Sequence, residues 1–322
     1  MAIASSADNI RFNGTGIAYA AAVASANPGA DMGELENFSF SQAVSKDQVK
    51  STRNAARGTI LEAVKETDAT LKWGLREQTD ENLKMALMAA SVSTANQTAD
   101  GVYQTTQTWV ADEYIDLGKL DVVSTKLNHG TVTGGPFVIG EIIAQADPVA
   151  EGKIAFVGAG FIEVVEVSGA FTAGEAVTVA AKSATLTGVA TLRDAVITSA
   201  DGATRRAQGT DYTIEPRAGY ARKLTGGGVL NTDKVSFDWP AVAKKVLYGL
   251  SASTVQRKVT FVTDPDDYGP RKRYTFHKVS VSTDGEQDLL GDGTELLKCS
   301  GTVIRDTSQP AGEEYYKLEI LG

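Results

Sequence analysis

One cysteine and two histidines among 322 residues leave little from which to build a reactive centre. A lone Cys299 excludes an intrachain disulfide and a thiolate metal cluster. His129 and His277 are the only imidazoles, so metal sites and histidine-based catalytic pairs have few candidates. Neither a Gly-x-Ser-x-Gly elbow nor a Gly-x-x-x-x-Gly-Lys-Ser/Thr loop occurs. Apolar runs all fall short of the ~20 residues that span a bilayer, so no membrane insertion by a helix is expected. Together these shortages argue against an enzyme, and no cofactor is expected.

Positive charge is also in deficit. Lys and Arg total 31 against 40 Asp and Glu, a net charge of −9. An acidic chain repels phosphate backbones, which argues against sequence-specific nucleic-acid binding. Near the start, "IAYAAAVASANPGA" imitates a secretory leader, with Ala24-Ser25-Ala26 where cleavage would fall. Only Arg11 against Asp8 precedes it, and its apolar stretch is mostly alanine. We expect the segment to be retained and the protein to be made and folded in the cytoplasm.

What the chain does have is small residues and short alternating runs, with 42% hydrophobic and 7% aromatic residues. That mixture suits many strands and turns better than long helices. Ile17, Tyr19, Ala21 and Val23 alternate as a first, half-buried strand, ended by Asn27-Pro28-Gly29. Leu35 to Phe40 reads as a second, with Phe38 and Phe40 on one face. The following "SQAVSKDQVKSTRNAARGT" has no clean period and is expected to be a long exposed loop. Loops of that length are uncommon unless functional or disordered. Ala69, Leu71, Trp73 and Leu75 then give a strong strand. "TDENLKMALMAA" follows as the one clear helix, capped by Thr79, with Leu83, Ala86, Leu87 and Ala90 on one face.

Residues 128–198 differ in composition. They hold no Trp or Tyr and carry seven acidic residues against three basic. The pairs Ile154/Phe156, Ile162/Val164 and Val177/Val179 alternate between glycine turns, which predicts a small β subdomain inserted into a core formed by 1–127 and 199–322. Within it, "IAFVGAGFIEVVEV" resembles the phosphate-binding turn of a dinucleotide fold. The third glycine of that fingerprint is Glu163 here, and strands rather than a helix follow, so the stretch is expected to be a hairpin turn. After the insert, Tyr212, Ile214 and Pro216 share one side, as do Val235, Phe237 and Trp239. In "RYTFHKVSV" the alternation slips at His277-Lys278, which predicts a β-bulge.

Three acidic or basic clusters invite a site. "DGEQDLLGDGTE" places Asp284, Glu286, Asp288 and Glu295 at ligand positions of a calcium loop, but the required glycine is Leu289. "DPDDY", Asp264 to Tyr268, reads as a turn, and Arg271 to Arg273 as a solvated loop or an inter-subunit ion pair. His277 is expected to be a half-buried spacer, His129 a turn residue, and Cys299 a small packed hydrophobe.

The order of elements resembles a known family. A strand pair and long loop precede "ATLKWGLREQTDENLKMALMA". Later come "GTDYTIEPRAGYARKL" and "VSFDWP", and the chain closes on "RKVTFVTDPDDYGPRKRYTFHKVSVSTDGEQDLLGDGTELLKCSGTVIRD" and "YYKLEIL". The pattern, over about 10–125 and 200–322, is similar to the major tail tube protein of long-tailed bacteriophages, especially those with non-contractile, siphovirus-type tails. The resemblance implies a β-sandwich or barrel-like fold with one flanking helix. It also implies six-membered rings stacked into a tube, assembled in the host cytoplasm and found in the virion tail. Its implied partners are other copies of the chain, the tape-measure protein, and the tail terminator and tail-tip proteins, with viral DNA passing through the lumen unread. The Ser41–Thr59 loop would stack the rings, with Lys46, Lys50, Arg53 and Arg57 meeting acids of the next ring. The insert would be an outward decoration. The alternative is a secreted or surface β-sandwich binding module, carbohydrate-binding for example, which predicts a monomer with an exposed aromatic platform.

Overall fold

The structure, a computed structural model, describes residues 15–50, 52–53, 59–263, 271–287 and 293–321, without the side chains of Ile60 and Leu321. It is mainly β and sandwich-like, built from antiparallel sheets with one helix. The chain divides into two compact units, one formed by residues 1–93 and 246–322 and the other by 94–245.

The first unit begins with β1 (Gly16–Ala21), β2 (Ala30–Asp31), β3 (Leu35–Lys50), β4 (Thr59–Leu75) and α1 (Asp80–Ala86). The chain leaves it through β5 (Val92–Thr94). The second unit carries β6 (Asp100–Thr106), β7 (Tyr114–Asp116), β8 (Ser124–Asn128), β9 (Ile142–Gln145), β10 (Ala150–Gly158) and β11 (Phe161–Ser168). It continues with β12 (Ala176–Val179), β13 (Lys182–Thr185), β14 (Thr191–Arg193), β15 (Val196–Thr198), β16 (Tyr212–Glu215), β17 (Tyr220–Lys223) and β18 (Lys234–Trp239). After β19 (Lys245–Leu247), the first unit closes with β20 (Val255–Thr263), β21 (Arg271–Thr283), β22 (Leu297–Val303) and β23 (Tyr316–Leu321).

In the first unit one sheet has the order β2-β1-β20-β21-β22-β4-β3, with β23 beside β21. The period-2 pattern of β4 buries Ala69, Leu71, Trp73 and Leu75 against Phe276, Val279, Val281 and Cys299. Phe38 stacks on Phe261 at 4.7 Å, and Phe40 meets Phe276 at 5.0 Å and Tyr316 at 5.2 Å. Those partners lie several strands away in the sheet order, so the sheet folds over to enclose its own core. Among the described residues no ladder joins β3 to β2, and the sheet stays open rather than closing as a barrel. The predicted bulge is present: Val279 pairs with Arg257 and Phe276 with Val259, leaving His277 and Lys278 opposite a single residue.

Three local expectations are corrected. In β1 the buried residues are Ala18 and Ala21, while Tyr19 is half-buried and Ile17 exposed, because Ala18 is the residue that joins the core with Met32 and Val259. Of the expected face of helix α1, Ala86 is buried and Leu83 and Leu87 are half-buried but Ala90 is exposed, while Asn82 and Met85 complete the buried side. Asn82 sits inside because its amide donates to the carbonyls of Met32 and Glu77, both at 2.9 Å. Arg271 to Arg273 begin strand β21 rather than a loop, and Arg273 pairs with Glu319 of the same chain at 2.5 Å.

The second unit is wider than the 128–198 segment. Residues 124–193 form a seven-stranded sheet, β13-β12-β9-β10-β11-β8-β14, over a core of Leu127, Ile143, Ile154, Ile162 and Val177. That sheet is what the composition marks. The flanks belong to the same unit because β18 pairs with β6 on one side and β15 on the other, and β7 pairs with β17. These ladders place "GTDYTIEPRAGYARKL" and "VSFDWP" in this unit, not in the core to which the resemblance assigned them. Between β10 and β11, Gly158-Ala159-Gly160 closes an antiparallel hairpin, with Gly160 at φ +78°. Glu163 is buried in strand β11 and ion-paired to Arg205 at 2.5 Å.

Candidate assembly surface

The segment expected to be a loop is a ladder. β3 and β4 pair in antiparallel register from Leu35↔Leu75 to Lys50↔Thr59. The root of this hairpin is part of the sandwich, where Gln42 Nε2 donates to the Tyr316 hydroxyl at 2.6 Å. Beyond it, among the described residues, the two strands pair only with each other. Every residue from Ser41 to Lys50 and from Leu61 to Asp68 is exposed. At ~3.3 Å per residue the stretch from Ala43 to Lys50 is roughly 25 Å long. A ribbon solvated on both faces needs no apolar alternation, which is why the sequence shows none, and main-chain hydrogen bonds hold it.

Four side chains are out of place on such an arm. Val44, Val49, Leu61 and Val64 are 52%, 54%, 60% and 61% exposed. Val49 and Leu61 are register partners and share one face; Val64 opposes Lys46, three positions along, and shares the other face with Val44. Both faces therefore present an apolar patch. Among the described residues both long edges are open too: β3 is the last strand of the sheet, and β4 meets β22 only from Thr70 to Leu75.

The four basic residues expected to meet acids of a next ring have different settings in the single chain. Lys46 is ion-paired with Glu62 across its own hairpin, and Gln48 also donates to Glu62, at 3.0 Å. Lys50 is exposed at the end of β3, and Arg53 is exposed in the turn. Arg57 lies outside the described residues. The return strand adds Glu62, Lys65, Glu66 and Asp68, so the arm is mixed in charge. What sequence reasoning missed is the apolar set, whose only signal was a run without proline or glycine from Thr59 to Trp73.

The other suspected sites are built into the fold. Lys72 Nζ lies 3.0 Å from both carboxylate oxygens of Asp284, and Glu295 accepts from Gln78 at 2.7 Å. Asp288, Leu289 and Asp264 to Tyr268 lie outside the described residues. Cys299 is buried, which pushes its thiol up to about 12. Burial holds the His277 imidazole below its ordinary range. His129 Nδ1 sits 2.8 Å from the Gly130 carbonyl, and its ring meets Phe137 edge-on. Among the described residues no three His, Cys, Asp or Glu side chains are grouped to hold a metal, and no helix is long and apolar enough to cross a membrane.

Comparison with protein families matches the chain to the family described as Protein of unknown function UCP028589, over residues 11–141 and 161–317. The match spans well over half of the sequence, and the chain belongs to that family. It includes both strands of the arm. No curated protein matches the chain.

Proposed function

We propose that this family member is a structural virion protein. In this reading it is the tail tube subunit of a long-tailed, non-contractile bacteriophage, polymerising as stacked rings of six copies around the tape-measure protein. One observation carries the reading: a long two-stranded arm, exposed on both faces and with an apolar patch on each. A free two-stranded ribbon is marginal in water, and its edges and apolar patches are liabilities that another chain would cover. With patches on opposite faces, the arm is suited to slot between neighbouring copies. Such a contact joins unlike surfaces, and unlike surfaces repeat without a natural end, which yields a fibre. The net charge of −9 supports the conduit role, since an acidic wall does not hold DNA that slides past it. Terminator and tip proteins would close the two ends of the tube.

The test is removal of the arm. Gln42 and Ala69 are register partners at its root. Deleting 43–68 and joining them through an Asn-Gly turn preserves the sandwich core. The expected result is a folded, monomeric chain where the unmodified one polymerises. Polymers from the shortened variant would refute the proposal.

A further inference from the structure

In the second unit the small sheet β16-β17-β7 turns one side inward and one outward. Tyr212, Ile214 and Ala221 are buried beneath it. On the outward side the register sets Tyr220 between Asp116 of β7 and Glu215 of β16, and sets Arg222 between Tyr114 and Thr213. Tyr220 is 44% exposed and Tyr114 51% exposed. The Arg222 guanidinium lies 5.1 Å from the centre of the Tyr114 ring, which fixes that ring against the sheet.

The face ends at an open hollow of about 280 Å³. Its lining includes Tyr220, Asp116, Lys119, Asn96 and Lys244. Gln97 forms a spent floor: its amide donates to the carbonyls of Leu120 and Pro240 and accepts from the Leu120 N–H. Lys119 is held over the Trp239 ring at 4.5 Å, and Asp116 is oriented by the N–H of Gly118 at 2.7 Å. The walls are thus one aromatic ring plus acceptors and donors of both charges, of which Lys119 and Asp116 are held by their own neighbours.

We propose that this hollow binds a neutral glycan through one or two of its hexopyranose rings. A pyranose offers a C–H face to stack on Tyr220 and hydroxyls that both donate and accept, which suits Asp116 on one side and Lys119, Asn96 and Lys244 on the other. The volume lies just below the ~300–1,000 Å³ of drug-sized sites, enough for one or two rings. Asp116 in the lining and Glu215 beside Tyr220 offset Lys119 and Lys244, so no field of one sign selects a charged polymer. An apolar peptide would strand these polar groups without partners. The inference does not depend on the assembly role, because the arm lies in the other unit.

The test uses the full chain and four probes: maltotetraose, cellotetraose, mannotetraose and chitotetraose, titrated to about 10 mM and followed by shifts in amide hydrogen exchange read by mass spectrometry, which serves the chain assembled or monomeric. Shallow sites of this size bind at about millimolar strength. The expected result is that at least one probe shifts Tyr220 and Asp116, that Tyr220→Ala weakens it about tenfold or more, and that Asp116→Asn weakens it as well. Tyr248→Ala, at a 71% exposed tyrosine outside this unit, should leave binding unchanged. No shift from any probe with a folded chain overturns the proposal, as does binding that survives Tyr220→Ala. Loss of self-assembly on Tyr220→Ala, with no glycan bound by the unmodified chain, would instead identify the face as a contact between copies.

Discussion

Replacing Val44, Val49, Leu61 and Val64 together by serine separates folding from assembly. In the single chain each of these side chains is already more than half exposed, so none contributes much to the folded state. Exposed substitutions of this kind shift stability by no more than ~0.5 kcal/mol each. In an assembly the remaining exposed half would be covered. Full burial of a Val or Leu side chain is worth about 1.5–3 kcal/mol, so covering half of one gives about 1 kcal/mol. Four such residues amount to about 4 kcal/mol per copy, roughly a thousandfold in the association constant. Urea unfolding reads the first quantity, and sedimentation velocity over a concentration series reads the second. The expected outcome is a near-native unfolding midpoint with assembly displaced to far higher concentration. A variant that assembles at the unmodified concentration would refute the reasoning. So would one that loses the ~2–5 kcal/mol per residue typical of core truncations, since that would make the patches part of the fold.

Other predictions concern one position in the core of the first unit and two carboxylates of the second. A Cβ on Gly301 would lie 2.4 Å from Val279 Cγ1 and 3.3 Å from the Trp73 ring, so Gly301→Ala should cost about 1–3 kcal/mol. Val279→Ala should relieve part of that cost, and strict additivity in the double mutant would show that the clash is not its source. Asp233, buried, takes a bidentate pair from Arg206 at 2.6 and 3.1 Å, so Asp233→Ala should cost about 3–5 kcal/mol by chemical denaturation, and a loss under 1 kcal/mol would contradict this. Asp238 accepts the N–H groups of Glu166 and Val167, yet burial first, then the charges of Glu166 and Asp100, push its carboxyl up to about 6. With the folded value raised, the folded state holds the proton more tightly. Stability from this group is fully present below about pH 4 and is lost as pH rises through about 6, by at most about 2–3 kcal/mol. Asp238→Asn should therefore gain on the unmodified chain between about pH 4.5 and pH 8. A relative loss over that range would reverse the sign and defeat the assignment.

The parts of the fold legible in the sequence are those where one face is buried and the other wet. Leu71, Trp73 and Leu75 alternate because β4 covers a core there, and Thr79 marks the helix because its hydroxyl accepts the Asn82 N–H at 3.2 Å. The slip at His277-Lys278 was legible for the same reason, since a bulge moves every later side chain to the other face. The arm was not legible, because a ribbon wet on both sides carries no alternation and looks like a loop. The helix face was misread because Asn82, a polar residue, is inside, satisfied by two carbonyls that only the tertiary fold brings near. The second unit was drawn too small because β6, β7, β16, β17 and β18 have ordinary composition, and their membership depends on pairing across long sequence separations. Of the candidate contact residues, Lys46 was visible as a charge but not as half of an ion pair with Glu62.

Negative-stain electron microscopy of the unmodified, purified full-length chain over a range of concentrations tests the central claim most directly. The account predicts rings and stacked tubes of constant diameter, lost when residues 43–68 are removed. A chain that remains a monomer at every concentration, with its arm bare in solution, would contradict it.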